Sequence, residues 1–197
     1  MPQAIRFTRD VAGICIVGTA CAAIYAADVA MTGWNPSAGF ILRALIHVAE
    51  LAGVIGLALS GAAGAGKLGR IGIGTAISGQ VLLAAAELIQ PRNPDLGDQV
   101  FNVAPMLSAI GMVLAGIAVL HAKRWTGWHR FTPLLTGLWP IVVLIPAIII
   151  SGAPPASPAV WAIAGWDLTW MLLGLALWTE TAVAVRPQRS PAPASRP

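Results

Sequence analysis

Arg43, His47 and Glu50 stand at positions i, i+4 and i+7 of one apolar stretch. That spacing puts a guanidinium, an imidazole and a carboxylate on one stripe of a helix, within an arc of about 60°. Such a set can relay a proton, hold a cation or anchor a polar ligand, because histidine titrates near neutral pH and a carboxylate accepts both protons and cations. Asp28, Glu87 and Asp167 also fall within apolar stretches. Four carboxylates therefore face one permanent cation, Arg43, and one histidine. They cannot all be ionised and buried together, so some are protonated, some reach water, or a bound cation compensates. The ligand or proton site candidates are thus Arg43, His47, Glu50, Glu87, Asp167 and Asp28. A structural reading stands beside this one, with Asp28 and Glu87 as solvated edge residues, Arg43, His47 and Glu50 as a self-satisfied network, and Asp167 paired with Arg43.

The elements that must position these residues are six apolar runs, 11–31, 40–60, 71–90, 100–120, 131–150 and 160–183. A helix of twenty residues, rising about 1.5 Å per residue, spans a hydrocarbon layer about 30 Å thick. The fold class predicted is all-α, a polytopic transmembrane bundle of six helices. Hydrophobic residues make up 57% of the chain and charged ones 10%, too little polar surface for a soluble fold. Residues 1–187 form a single transmembrane domain and 188–197, rich in Pro, Ser and Ala, a disordered cytoplasmic tail.

Ten of the 12 Lys and Arg residues fall in alternate gaps: Arg6 and Arg9; Lys67 and Arg70; Lys123, Arg124 and Arg130; Arg186, Arg189 and Arg196. Short loops rich in Lys and Arg stay cytoplasmic, so both termini are expected inside. Arg43 is the one cation within a run. With this orientation Glu50 lies about 15 Å from the outer edge of its helix, His47 and Asp167 about 10 Å, and Arg43, Asp28 and Glu87 about 5 Å. All the candidates share the outer half of the bilayer. Below Glu50 the same face reads Val54, Leu57, Ala58, which predicts a polar cavity open outward and closed toward the cytoplasm. The net charge of +4 then follows membrane topology, and nucleic acid is not an expected partner; the lipid bilayer is, with a homo- or hetero-oligomer possible.

Ala52, Gly56, Ser60 and Gly64 step down the second helix and Gly72, Ala76, Gln80 and Ala84 down the third, so these two are expected at the bundle centre. Pro133, Pro140 and Pro146 weaken the fifth, which is expected to face lipid most. Trp34 and Trp161 at one face, with Trp125 and Trp128 at the other, suit interfacial anchoring. Cys15 and Cys21 lie on different faces and read as buried apolar fillers. The first run reads as an uncleaved helix, since apolarity continues past Ala20-Cys21-Ala22 to Met31. A weak threefold repeat of Gly-x-Ala-aliphatic in the even helices suggests tandem hairpins.

Gly61 through Lys67 resembles a phosphate loop, but Leu68 replaces the Ser or Thr that would hold magnesium and no strand precedes it. Nucleotide is therefore not expected. With a single histidine among the buried acids, neither a metal nor a cofactor is expected. Glu180 reads as solvated or paired with a loop cation, and Trp166 and Trp170 as packing or ligand-stacking residues.

The stretch Arg124-Trp125-Thr126-Gly127-Trp128-His129-Arg130-Phe131-Thr132-Pro133-Leu134-Leu135, with Gly165-Trp166 and Leu172-Leu173-Gly174-Leu175-Ala176-Leu177, resembles a group of small bacterial six-helix membrane proteins with no established activity. The resemblance implies a multi-pass protein of the bacterial cytoplasmic membrane and transfers no site residue. Three functions fit the residues. The preferred one is a small-solute or proton-coupled transport component with an outward-facing polar cavity. The others are an accessory, sensing or assembly subunit with a purely structural polar cluster, and a membrane-embedded enzyme acting on a lipid or quinone, with Glu50 and His47 as its acid and base.

Overall fold

The computed structural model describes residues 3–152, 154 and 157–185. These residues are all-helical: α1 (Gln3–Thr32), α2 (Gly39–Ser60), α3 (Lys67–Ile89), α4 (Pro94–Ala122), a 3-10 turn (His129–Phe131), α5 (Thr132–Trp139), a π-helical segment (Pro140–Leu144), α6 (Ile145–Ser151) and α7 (Ser157–Val185). The 3-10 turn, α5, the π segment and α6 make one span, His129–Ser151, so six helices are long and apolar enough to cross a membrane. The tail from 188, with Arg186, Arg189 and Arg196, lies outside the described residues.

The helices outrun the apolar runs. α1 begins at Gln3 and carries Arg6, Arg9 and Asp10; α4 begins at Pro94, six residues before its apolar run. Asn93 explains the early start of α4: its side chain accepts from the Leu96 backbone N–H at 3.2 Å, and Pro94 occupies the first turn, where no N–H is needed. Hydropathy marks the bilayer-sized part of a helix, whereas its ends are set by caps.

The fifth span is broken as its prolines predict. Pro140 has no N–H for the Thr136 carbonyl, the backbone widens into the π segment, and the indole N–H of Trp166 on α7 donates to that freed oxygen at 3.0 Å. Trp139 returns the bond, donating to Ala162 O of α7 at 2.8 Å. This span is also the least covered, with 22% of its apolar window buried.

The expectation that the second and third helices are central is corrected. α7 is the most buried span, at 61%, followed by α4 at 50%, while α2 and α3 reach 44% and 39%. Small residues do permit close approach, but to other partners than each other. Gly72, Gly79 and Gly111 join α3 to α4, and Gly53, Gly56 and Gly174 let α1, α2 and α7 interlock. Two further expectations fail. Cys15 is buried but Cys21 is exposed, because the two point to different faces of α1. Trp34, Trp161 and Trp128 are exposed, as interfacial anchors require, whereas Trp125 packs into the core at 5% exposure.

Candidate functional site

The site lies along α2, between α3 on one side and α1 and α7 on the other, toward the end of the bundle that carries Asn35. Gly39 starts α2 in a crowded corner, where a Cβ would stand 2.8 Å from Tyr25 Oη and 3.1 Å from Arg43 Nη1. Its missing side chain admits a small polar network. Asn35 Oδ1 accepts from the Tyr25 hydroxyl at 3.0 Å and from Arg43 Nη1 at 3.2 Å. Arg43 Nε donates to Glu87 Oε2 of α3 at 2.8 Å. One turn further along α2, His47 Nδ1 lies 2.7 Å from Glu50 Oε2. An ionised Glu50 only accepts, so the Nδ1 nitrogen must then carry the shared proton.

The two pairs form a ladder. His47 lies within electrostatic reach of Glu87, and Glu50 within reach of Asp167 on α7 and Cys15 on α1. Exposure falls along it, from 33% at the Arg43 side chain to 14% at His47 and 1% at Glu50, with Asp167 at 4%. Beneath Glu50 the way is shut by Val54, Leu57, Trp170 and Leu173, all fully buried. Cys15 completes the floor: its thiol donates to Trp170 O at 3.4 Å and its sulfur would stand 2.7 Å from a Cβ at Gly53. Polar groups thus enter the bundle from one end and stop near mid-depth.

Of the six residues picked out by pattern, five belong to this assembly. Asp28 does not join its hydrogen bonds; it is half-buried near the end of α1, and its backbone oxygen accepts from Thr32 Oγ1 at 2.9 Å. Glu87 is not a solvated edge residue: it is 6% exposed and pairs with Arg43 at 2.8 Å, with His47 also within electrostatic reach. Asp167 does not pair with Arg43, whose Nε is already engaged by Glu87. Asn35, Tyr25 and Cys15 join the site without having been singled out for it, whereas Trp170, read as a packing or ligand-stacking residue, lines its floor. Asn35 lies between apolar runs and Tyr25 is half-hydrophobic within the first, so neither is an anomaly there, and Cys15 is an ordinary core type. Trp166 and Trp170 serve packing, with ring centroids 6.3 Å apart, and the first is committed to Thr136 O.

A second polar contact lies between α3 and α4. Gln80 Nε2 donates to Ser108 Oγ at 2.8 Å with both residues fully buried, while Gln80 Oε1 has no partner among the described residues. A third lies at the opposite end, where His129 Nδ1 meets Glu180 Oε1 at 2.6 Å and Nε2 meets Thr179 Oγ1 at 3.2 Å. The loop partner of Glu180 is therefore His129.

The phosphate-loop lookalike is a helix connector. Gly61 and Gly64 adopt positive φ of 66° and 69°, which glycine tolerates without strain. Arg124 Nη1 donates to Gly61 O at 2.9 Å and Arg70 Nη2 to Ala65 O at 2.8 Å, so the nearby cations hold the turn itself. Among the described residues no group of three or more His, Cys, Asp or Glu side chains is placed to hold a metal ion. No protein family, curated protein or solved structure matches the chain, so the reading of the site rests on its geometry.

Proposed function

We propose that the chain is a bacterial cytoplasmic-membrane protein with both termini inside, and that it acts as a small-solute or proton-coupled transport component. The carrying observation is the one-sided ladder: two separate ionisable pairs, Arg43–Glu87 and His47–Glu50, stepping from a partly exposed Arg43 to a sealed Glu50, with an apolar floor beneath. Ionisable groups at such depth in a bilayer are costly and usually mark ion or substrate paths. With the basic loops cytoplasmic, the ladder opens outward, and the packing around Glu50 is that of a closed state.

Proteoliposomes carrying the purified protein and a trapped pH dye test this reading. An imposed pH gradient should drive proton flux that falls at least about tenfold in Glu50→Gln, because the substitution removes the sealed acid but not its hydrogen-bonding shape. Equal flux in both proteins would exclude Glu50 from the proton path, and none in either would exclude proton coupling. The orientation is tested separately: Ser157→Cys should react with a membrane-impermeant maleimide in intact cells and Ser190→Cys should not.

A second reading is favoured by the Arg43–Glu87 pair, which ties α2 to α3 across a bundle seam. In that reading the chain is an accessory or assembly subunit and the ladder specifies packing. Glu50→Gln would then lower the yield of folded protein and leave flux at the level of empty liposomes in both forms.

A further inference from the structure

We infer that the basic groove between the α2–α3 turn and the end of α4 binds a phosphate group. It lies at the end of the bundle opposite the ionisable ladder and does not depend on the transport reading. The groove has a volume of about 440 Å3 and is lined by residues 63–69 together with Ala118, His121, Ala122 and Arg124. Small residues bring its two walls together: a Cβ on Gly64 would stand 3.3 Å from Ala122 Cβ, and one on Gly69 3.4 Å from Ala118 Cβ. Between them, a Cβ on Gly66 would meet open space.

The charges that these walls supply are all positive. Lys67, Arg70, Lys123 and Arg124 stand on them or beside them, and no Asp or Glu occurs in 51–86 or in 99–166. Arg124 Nη1 is fixed on Gly61 O, and Arg70 on Ala65 O through Nε and Nη2, so the turn positions both guanidiniums and leaves their other N–H groups to spend. Lys67 and His121 are exposed and enter none of the ion pairs among the described residues. The backbone adds donors to the same wall. α3 opens at Lys67 with no side-chain cap and no acid in its first turn, and the first backbone bond back into the turn is Arg70 N–H to Gly66 O at 3.3 Å. The N–H groups of Lys67 and Leu68 therefore have no backbone acceptor. A helix start carries a partial positive charge, which disfavours a Lys and an Arg there. Membrane topology accounts for cations at this end of the bundle but not for their gathering around an open groove and an uncapped helix start. An anion with several acceptor oxygens relieves the repulsion and takes the free donors together, and phosphate is that anion. The groove also lies where three bilayer-length helices end, at headgroup depth, with Leu68, Ala118 and Ala122 offering apolar surface to the glycerol end of a phospholipid.

The test titrates the delipidated full chain in detergent with phosphatidylglycerol, phosphatidylcholine or inorganic phosphate, followed by native mass spectrometry and Tm. Phosphatidylglycerol or inorganic phosphate should bind, and zwitterionic phosphatidylcholine should bind at least about fivefold more weakly than phosphatidylglycerol if the source is a lipid. Lys67→Gln/His121→Gln should weaken binding by about fivefold or more, Lys67→Arg should keep it, and Arg6→Gln, which removes a cation from the same end of the bundle, should leave it nearly unchanged. Phosphatidylglycerol that inorganic phosphate does not displace assigns the groove to a lipid headgroup; a Tm raised by inorganic phosphate in wild type but not in the double variant assigns it to free phosphate. Hydrogen exchange needs no variant, since the bound ligand should slow the amides of residues 66–69. The inference is overturned if neither ligand binds, if Arg6→Gln weakens binding as much as the double variant, or if exchange at 66–69 is unchanged by saturating ligand.

Discussion

α3 buries polar atoms on two sides by opposite means. Against α4 it presents glycine: a Cβ on Gly72 would stand 2.5 Å from Ala115 N and 2.8 Å from Gly111 O, and Gly79 and Gly111 meet the backbones of Ser108 and Ala76 as closely. The polar contact inside that seam is neutral, an amide on a hydroxyl, and it is wholly dry. Against α2 the same helix presents Glu87, and the partner is a guanidinium that keeps a third of its surface exposed. A neutral polar pair fits wherever backbones approach, since its desolvation cost is small. A pair of formal charges costs more to bury, because the hydration it loses is returned only in part by the partner, and Arg43–Glu87 keeps its guanidinium near an edge. The seam with α4 therefore reads as structure, and the seam with α2 as the place where charge enters the bundle.

Three substitutions would break or sharpen that contrast. The largest effect is expected for Gly72→Leu, which drives a side chain into the α4 backbone. It should cost about 3 kcal/mol or leave no folded protein, read as a lowered Tm or denaturant midpoint in detergent. A wild-type Tm would show that the α3–α4 seam is not close-packed.

Arg43→Gln comes next. Breaking a fully buried ion pair costs about 3–5 kcal/mol, and the exposure of Arg43 brings the expectation to about 2 kcal/mol. Most of this loss should be recovered in the Arg43→Gln/Glu87→Gln double variant, because the penalty lies in the stranded carboxylate. Additive single effects in that cycle would mean that the pair is not coupled.

The smallest change is expected for Ser108→Ala, about 0.6 kcal/mol, since a buried hydrogen bond between membrane helices contributes little net stability. Proton flux should be unchanged by it. A loss of flux as large as that of Glu50→Gln would move the functional path to the α3–α4 seam.

The stripe Arg43, His47, Glu50 was readable because helical spacing is a local property, and a charged residue in an apolar run is an anomaly whatever surrounds it. The same anomaly picked out Glu87 and Asp167. Their partners were not readable. Asp167 has no sequence feature that separates pairing with Arg43 from standing alone beside Glu50, since that depends on how α7 is rotated against α2. Trp125 and Cys21 failed for the related reason that a residue's type is compatible with either face of its helix.

Composition and hydropathy determined by themselves that the chain makes six bilayer-length helices, that the fifth is interrupted at its prolines, and that ionisable residues lie within them. Solvent transfer and backbone hydrogen bonding act residue by residue, so a linear string carries that information. The tertiary structure alone decided that α7 and α4 are the most buried spans, that Glu87 takes Arg43, and that Asp167 ends the ladder without an ion-pair partner among the described residues. Those outcomes depend on which helix faces which, and in an apolar chain that choice is made by close packing of small residues, a property of pairs of surfaces rather than of any one stretch.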